Sequence, residues 1–388
     1  MYDLGGDAIR ILYSISYFNP RFGGDVNVCY NLSREMAKKG HDVTIITTDY
    51  EFDKNFAESL VGIKVIGFKR IFNLGYFIYT PAISSWLDHN IKNFDIIHLH
   101  NYRSYQNNEI CARAKRDHVP FILQAHGSVP PTTDKKMITY FYDLFWGNDI
   151  LKSSSKFIAI TRREVEQYKR RDISEDKICI VPNGIDSSVY HKLPEKGKFR
   201  EKYLINLETK LILYLGRLDR IKGIDLILES YADIINDYHD SVLVLVGPDH
   251  GHKSHLERLA KKLDISDRVL FTGFVSELEK KMALVDSDVF VTPYYYGFPV
   301  TFLEACSCGT PIIVTNKGDD LDFIQDNVGF VVENTKENLS NAIRIVFSDK
   351  EVRNKFKQRG REIIAERFTW DKISNKLEDI YLDVSALR

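Results

Sequence analysis

The feature that most constrains this fold is an alternation, run twice along the 388 residues, of short apolar segments with longer amphipathic ones. Ile9 to Ser16, Val43 to Thr48, Asp95 to His100, Phe121 to Gln124, Lys156 to Ile160 and Ile178 to Val181 are short and aliphatic. Between the first two, Val26 to Lys39 places Val28, Leu32 and Met36 at helical spacing and stops at Gly40. Strands alternating with helices predict a parallel sheet covered on both faces. A break at 186–209 carries Ser187-Ser188, Pro194, Gly197 and a dense run of charges, and reads as a linker. The pattern then restarts with Lys210 to Leu215, Ser241 to Val246, Arg268 to Phe271, Val289 to Thr292, Pro311 to Thr315 and Gly329 to Val332. Residues 336–384 read as mostly helical. The expectation is two doubly wound α/β domains in tandem, with ligands outside the carboxyl ends of the strands and the cleft between domains as the default site.

Composition removes several function classes. Lys and Arg number 53 against 54 Asp and Glu, so there is no cationic excess to neutralise a nucleic-acid backbone. With 44% hydrophobic residues the chain is not of disordered composition. The charge-free run from Ile71 to Leu87 contains Asn73, Gly75 and Pro81 and does not suit a membrane span. No signal peptide is evident, and Cys29, Cys111, Cys179, Cys306 and Cys308 form no C-x-x-C pair. The expected setting is cytoplasmic, with reduced thiols. P-loop, dinucleotide-binding, zincin and α/β-hydrolase signatures are all missing from the sequence.

Three segments carry candidate chemistry. Gly216-Arg217-Leu218-Asp219-Arg220-Ile221-Lys222-Gly223 follows a predicted strand and opens a helix. Glycines permit close backbone approach, the helix N-terminus offers N–H groups, and Arg217 and Lys222 add cations, which together suit a diphosphate. An ordinary strand–helix turn with surface cations is the competing reading. Tyr296-Gly297-Phe298-Pro299-Val300 also runs from a strand end into a helix, placing Glu304 among apolar neighbours. A carboxylate there needs a partner, and ribose hydroxyls would serve, as would a salt bridge. Gln124-Ala125-His126-Gly127 ends a third strand, with His126 either facing the cleft or satisfied in the core. Of the pair on the preceding strand, His98 reads as structural and His100 as a cleft-lining candidate.

Taken in order, these segments resemble a family. Gly23-Gly24, Gly40-His41-Asp42-Val43, His126-Gly127, Val181-Pro182-Asn183-Gly184, Gly216-Arg217 to Lys222-Gly223, Phe271-Thr272-Gly273 and Glu304 to Gly309-Thr310-Pro311 are similar to the signatures of glycosyltransferase family 4, whose members are retaining GT-B enzymes. The resemblance implies an acceptor-side Rossmann-like domain over 1–190, a nucleotide-sugar-binding one over 191–366, and a C-terminal helix over 367–388 that returns to the N-terminal domain. It implies transfer of a sugar from a nucleotide-diphosphate donor to a hydroxyl of a glycan or lipid-linked saccharide, with retention and no metal cofactor. Arg217 and Lys222 would hold the diphosphate and favour its departure. Glu304 would bind the ribose, Phe274 the base, and Gly24 and Gly216 would approach the phosphates. His126 would lie beside the donor sugar. Gly297, Phe298, Pro299 and Val300 complete the donor segment.

One position departs from the family. Its Glu, seven residues, Glu motif would place the first Glu at Tyr296, so the donor-sugar contact differs here. That departure motivates a rival of another class, a nucleotide-binding subunit without turnover. A GT-B nucleotide-sugar epimerase is the rival within enzymes. Asp286-Ser287-Asp288 and Asp320-Leu321-Asp322 are Asp-x-Asp patterns of the kind that hold a cation in GT-A enzymes, but the first precedes its strand instead of following it. Residues 67–87 and 135–151 combine aromatic side chains with basic edges at Lys69-Arg70 and Lys135-Lys136. Two readings stay open for them: peripheral contact with the inner membrane face, suited to a lipid-linked acceptor of polysaccharide biosynthesis, or burial as core aromatics.

Overall fold

The computed structural model describes residues 8–74, 77–130, 136–319 and 321–386. Contacts divide the chain into two units, one formed by 1–183 with 370–388 and one by 184–369.

Unit 1 is built on a seven-stranded parallel sheet. Its strands are β1 (Arg10–Ser14), β2 (Asp42–Thr48), β3 (Lys64–Phe68), β6 (Ile96–His100), β7 (Phe121–Gln124), β8 (Lys156–Ala159) and β9 (Ile178–Ile180). The order is β3-β2-β1-β6-β7-β8-β9. A separate antiparallel hairpin joins β4 (Phe72–Leu74) to β5 (Phe77–Tyr79). Successive residues of β1 serve opposite faces, as strand geometry requires. Ile11 and Tyr13 pack with Val28, Leu32, Leu377 and Tyr381, whereas Leu12 packs with Ile83, Leu99 and Leu123. The first of these clusters contains the helix Trp370–Ser385, so this C-terminal helix is part of the unit 1 core. Tyr381 seals it with a hydroxyl 2.8 Å from that of Tyr13 and 2.6 Å from Nδ1 of buried His98.

Unit 2 has six parallel strands: β10 (Lys210–Leu215), β11 (Ser241–Val246), β12 (Val269–Gly273), β13 (Val289–Thr292), β14 (Ile312–Thr315) and β15 (Gly329–Val332). Their order, β12-β11-β10-β13-β14-β15, reverses direction between β10 and β13, as in a Rossmann sheet. In unit 1 the corresponding reversal lies between β1 and β6.

Residues 186–209 are not a linker. They fold into unit 2 through a buried hub at Asp286, whose carboxylate accepts N–H bonds from Gly197, Phe199 and Arg200. Arg200, also buried, donates to the Asn206, Thr209 and Asp286 carbonyls. Prolines, serines and charges suggested exposed coil, but the charges turn inward to satisfy backbone ends. The chain passes between units near 183/184 and 369/370, where Ile185 N–H donates to the Phe368 carbonyl at 2.8 Å. The strand Lys64–Phe68 went unread in the sequence because Lys64 and Gly67 interrupt its apolar pattern.

Candidate functional site

In unit 2 the loops after β10 and β13 flank the topological switch point. Gly216 follows β10 where space is short: a Cβ there would lie 2.8 Å from the Tyr214 hydroxyl. At Gly247, after β11, a Cβ would lie 1.9 Å from the Gly216 carbonyl oxygen. Gly247 therefore requires glycine if the ends of β10 and β11 are to approach this closely, whereas at Gly216 the neighbour is the tip of a side chain. Tyr214 further ties the loop by donating to the Arg217 carbonyl at 3.0 Å. Asp219 caps the turn Arg220–Lys222, and Gly223, at φ 66, turns the chain into the helix Ile224–Ile234. A Cβ on Gly223 would touch Pro293 and Tyr294, so the β10 and β13 loops are in contact.

The electrostatics of this loop are uncompensated. Among the described residues, neither Arg217 nor Lys222 has an ion-pair or hydrogen-bond partner for its side chain. Arg217 is exposed and Lys222 half-buried. Burial first, and then the charge of Arg217, hold the Lys222 ammonium below its ordinary range, with Asp219 opposing them. Two neighbouring cations, neither paired with a carboxylate among the described residues, beside a helix N-terminus favour an anion.

The second loop presents Tyr296, half-exposed, with its hydroxyl against that of Tyr294. Gly297, at φ 66, donates its N–H to Asp319 Oδ2 at 3.0 Å. The Phe298 ring is buried against Phe323 and Phe368, so only its backbone remains for a ligand. Pro299 is the N-cap of the helix Val300–Cys308, which carries Glu304. Glu304 is buried; its Oε1 accepts from Lys280 Nζ at 2.7 Å while its Oε2 has no hydrogen bond among the described residues. Lys280 was not foreseen from sequence, because it sits on a different helix, Glu277–Asp286. Phe274, just past Gly273, is 81% exposed.

In unit 1 the strand ends gather a polar cluster. Gly24 opens the helix Gly24–Lys38, and Gly23 precedes it at φ 92. Asp25 on the first turn accepts from the Tyr17 hydroxyl and from Asn101 Nδ2, each at 2.8 Å. His126 takes a left-handed conformation, φ 52, followed by Gly127 at φ 77. Histidine tolerates this conformation better than most residues, and seven other described non-glycine residues share it. Glu164 holds the bend by accepting from Gly127 N–H and Ile160 N–H, both at 2.7 Å. His126 Nε2 lies 2.9 Å from Nδ1 of His100. Burial pushes His126 down to about 4 against the pull of Asp25, so its imidazole is neutral near pH 7. His100 is fully buried and stacked between His98 and His126, so it supports His126 instead of lining a cleft. Asp25, Asn101 and Glu164 lie in different loops and helices and carried no motif of their own.

The remaining candidates have other duties. Asp286 is spent on the 186–209 segment, and Asp288 accepts from Leu211 N–H at 2.9 Å. Asp320 lies outside the described residues. All five cysteines are free. No described helix is long and apolar enough to cross a membrane.

Comparison with known proteins gives consistent results. The family described as Glycosyltransferase Family 4 matches residues 22–189, and Glycosyl transferases group 1 matches residues 195–363. The chain is 25% identical to the N-acetyl-alpha-D-glucosaminyl L-malate synthase of Bacillus anthracis, over 94% of this chain and 95% of that protein. It is 28% identical to the Escherichia coli UDP-Gal:alpha-D-GlcNAc-diphosphoundecaprenol alpha-1,3-galactosyltransferase, over 76% of each. Among solved structures, Anabaena HepE in complex with UDP and glucose superposes with a TM-score of 0.75 at 16% identity, covering 97% of this chain and all of that one.

Proposed function

Because this chain belongs to glycosyltransferase family 4 and has the GT-B fold, we propose that it transfers a sugar from a nucleoside-diphosphate donor to a hydroxyl of a glycan or lipid-linked saccharide, with retention and without a metal. The observation that carries this reading is the pair of uncompensated cations, Arg217 and Lys222, at the switch point of unit 2. When the bond from the anomeric carbon to phosphate breaks, its electron pair leaves with the diphosphate. Fixed cations and helix N–H groups lower the barrier by stabilising that growing charge. The acceptor oxygen bonds the anomeric carbon on the face the diphosphate leaves, and the acceptor proton departs with the phosphate. Glu304 Oε2 accepts from the ribose hydroxyls, and Phe274 packs on the base. Tyr296 and the backbone of Gly297 to Val300 meet the donor sugar. In unit 1, the Gly24 loop and neutral His126 are the groups that the family likeness assigns to the donor.

A thermal-shift panel of nucleoside diphosphates and nucleotide sugars tests this reading, since a bound ligand stabilises the fold by mass action. One base and one sugar should raise the melting temperature above the rest, and no response to any of them would overturn the proposal. An assay without acceptor separates transfer from the epimerase alternative, which would convert the donor alone.

A lipid-linked acceptor is favoured by one surface of unit 1. Met137, Ile138, Tyr140, Phe141, Leu144 and Phe145 are all exposed. Phe77 of the hairpin packs on Tyr142, which makes the two aromatic segments neighbours. Lys135 and the Lys136 side chain lie outside the described residues, as do Gly75 and Tyr76. Flotation with anionic vesicles should carry the protein upward, and Phe145→Asp with Ile138→Asp should abolish this. Failure to float would remove the membrane part of the reading.

A further inference from the structure

A second polar cluster in unit 2 lies outside the set assigned to donor binding. Asp225 stands on the first turn of the helix Ile224–Ile234, and His252 and His255 stand at the start of the helix Lys253–Lys262. Their spacing of three residues puts both imidazoles on one side of the helix. His252 Nε2 lies 2.8 Å from Asp225 Oδ2 and His255 Nε2 lies 2.6 Å from Oδ1. The three side chains can offer ligand atoms within 4.8 Å of one another. We propose that Asp225, His252 and His255 form a binding site for a divalent transition-metal ion, Zn²⁺ in the first instance.

Four features support this assignment. Two imidazole nitrogens and a carboxylate are the donor set of borderline metals such as Zn²⁺ and Co²⁺, not of Mg²⁺ or Ca²⁺, and three protein ligands leave a position for solvent. The rings are held in place: Asp249 accepts from the N–H groups of Gly251, His252 and Lys253 and fixes the turn that presents His252. His252 is buried, whereas the His255 side chain is half-exposed, which leaves an entry path. The cation nearest in sequence, Lys253, turns away toward Glu257 and the Phe271 ring. Asp225 stands three residues beyond Lys222, so an ion here would cross-link the helix that follows the cationic loop to its neighbour.

The test uses the full chain without a histidine tag, stripped by a chelator and returned to metal-free buffer. Zn²⁺ is titrated against a chromogenic competitor, and Co²⁺ binding is followed by its visible absorption. One equivalent of Zn²⁺ should bind and raise the melting temperature, with no response to Mg²⁺. His255→Ala and Asp225→Asn should each weaken binding by at least about 10–100-fold, the loss seen when even an outer partner of a metal ligand is removed. His255→Ala alters a half-exposed position, and circular dichroism verifies that it folds. The absence of stoichiometric Zn²⁺ binding by the wild type, or undiminished binding in His255→Ala, would overturn the proposal. A lower melting temperature for His255→Ala without metal binding by the wild type would make the cluster a hydrogen-bonded tie between helices, which also overturns it.

Discussion

Replacing Lys222 by alanine gives the sharpest test of the leaving-group assignment. One pair of unit charges about 4 Å apart at an effective dielectric of about 20 interacts by about 4 kcal/mol. Bond cleavage adds about half to one negative charge to the departing diphosphate, so the share felt only in the transition state is about 2–4 kcal/mol. That predicts a fall in turnover of about 30- to 1,000-fold. Arg217 is exposed and more strongly screened, so Arg217→Ala should lie toward the lower end. The stability effect has the opposite direction. Without ligand, Lys222 has no carboxylate partner and is repelled by Arg217. Its folded pKa lies below the unfolded value, so the charged ammonium costs stability below that folded pKa. The folded state binds fewer protons across the window from the lowered value up to about 10.5, and stability rises with pH through it. Lys222→Ala should therefore melt no lower than wild type while losing rate. Initial rates of nucleoside-diphosphate release, measured beside melting curves, check both. Donor affinity should decline on the alkaline side before pH 10.5, and Lys222→Arg should move that limb upward. Wild-type rates in both alanine variants, or a rate loss matched by a loss of melting temperature, would refute the reasoning.

Other outcomes follow from the same geometry. Turnover should survive EDTA, even if melting temperature falls as metal leaves the Asp225 cluster; complete loss of rate, restored by Mn²⁺ or Mg²⁺, would revive a metal-dependent transfer. Tyr296→Glu restores the charge that the family motif carries and should change donor preference or rate, whereas an inert substitution would make Tyr296 a bystander. Asp286→Ala strips the backbone N–H groups of Gly197, Phe199 and Arg200 of a buried acceptor, so it should destabilise unit 2 by about 3–5 kcal/mol in chemical denaturation. A loss under about 1 kcal/mol would mean that water replaces the carboxylate.

The sequence was most legible where a local pattern and the global fold agree. β10, β11, β13 and β15 coincide with apolar runs because parallel strands are buried on both faces. Gly216 and Gly223 were readable because their roles depend on the backbone. Partners distant in the chain were not readable: Lys280 is 24 residues from Glu304, and Asp225 is 27 from His252. Only the sheet order brings such pairs together. His100 was misplaced because alternation along a strand identifies a face, not whether that face is covered. In the 186–209 segment, composition suggested coil, but buried Asp286 organises it.

The helix Trp370–Ser385 has a consequence for how the protein is made. Tyr381 and Leu377 complete a hydrophobic cluster whose other members, such as Ile11 and Tyr13, are synthesised at the opposite end of the chain. Residues 184–369 emerge from the ribosome in between, which takes roughly 10–40 s at about 5–20 residues per second. During that interval unit 1 waits with one face of its sheet only partly covered, while unit 2 is continuous in sequence and free to fold as it emerges. The second unit to begin synthesis is thus the first able to finish.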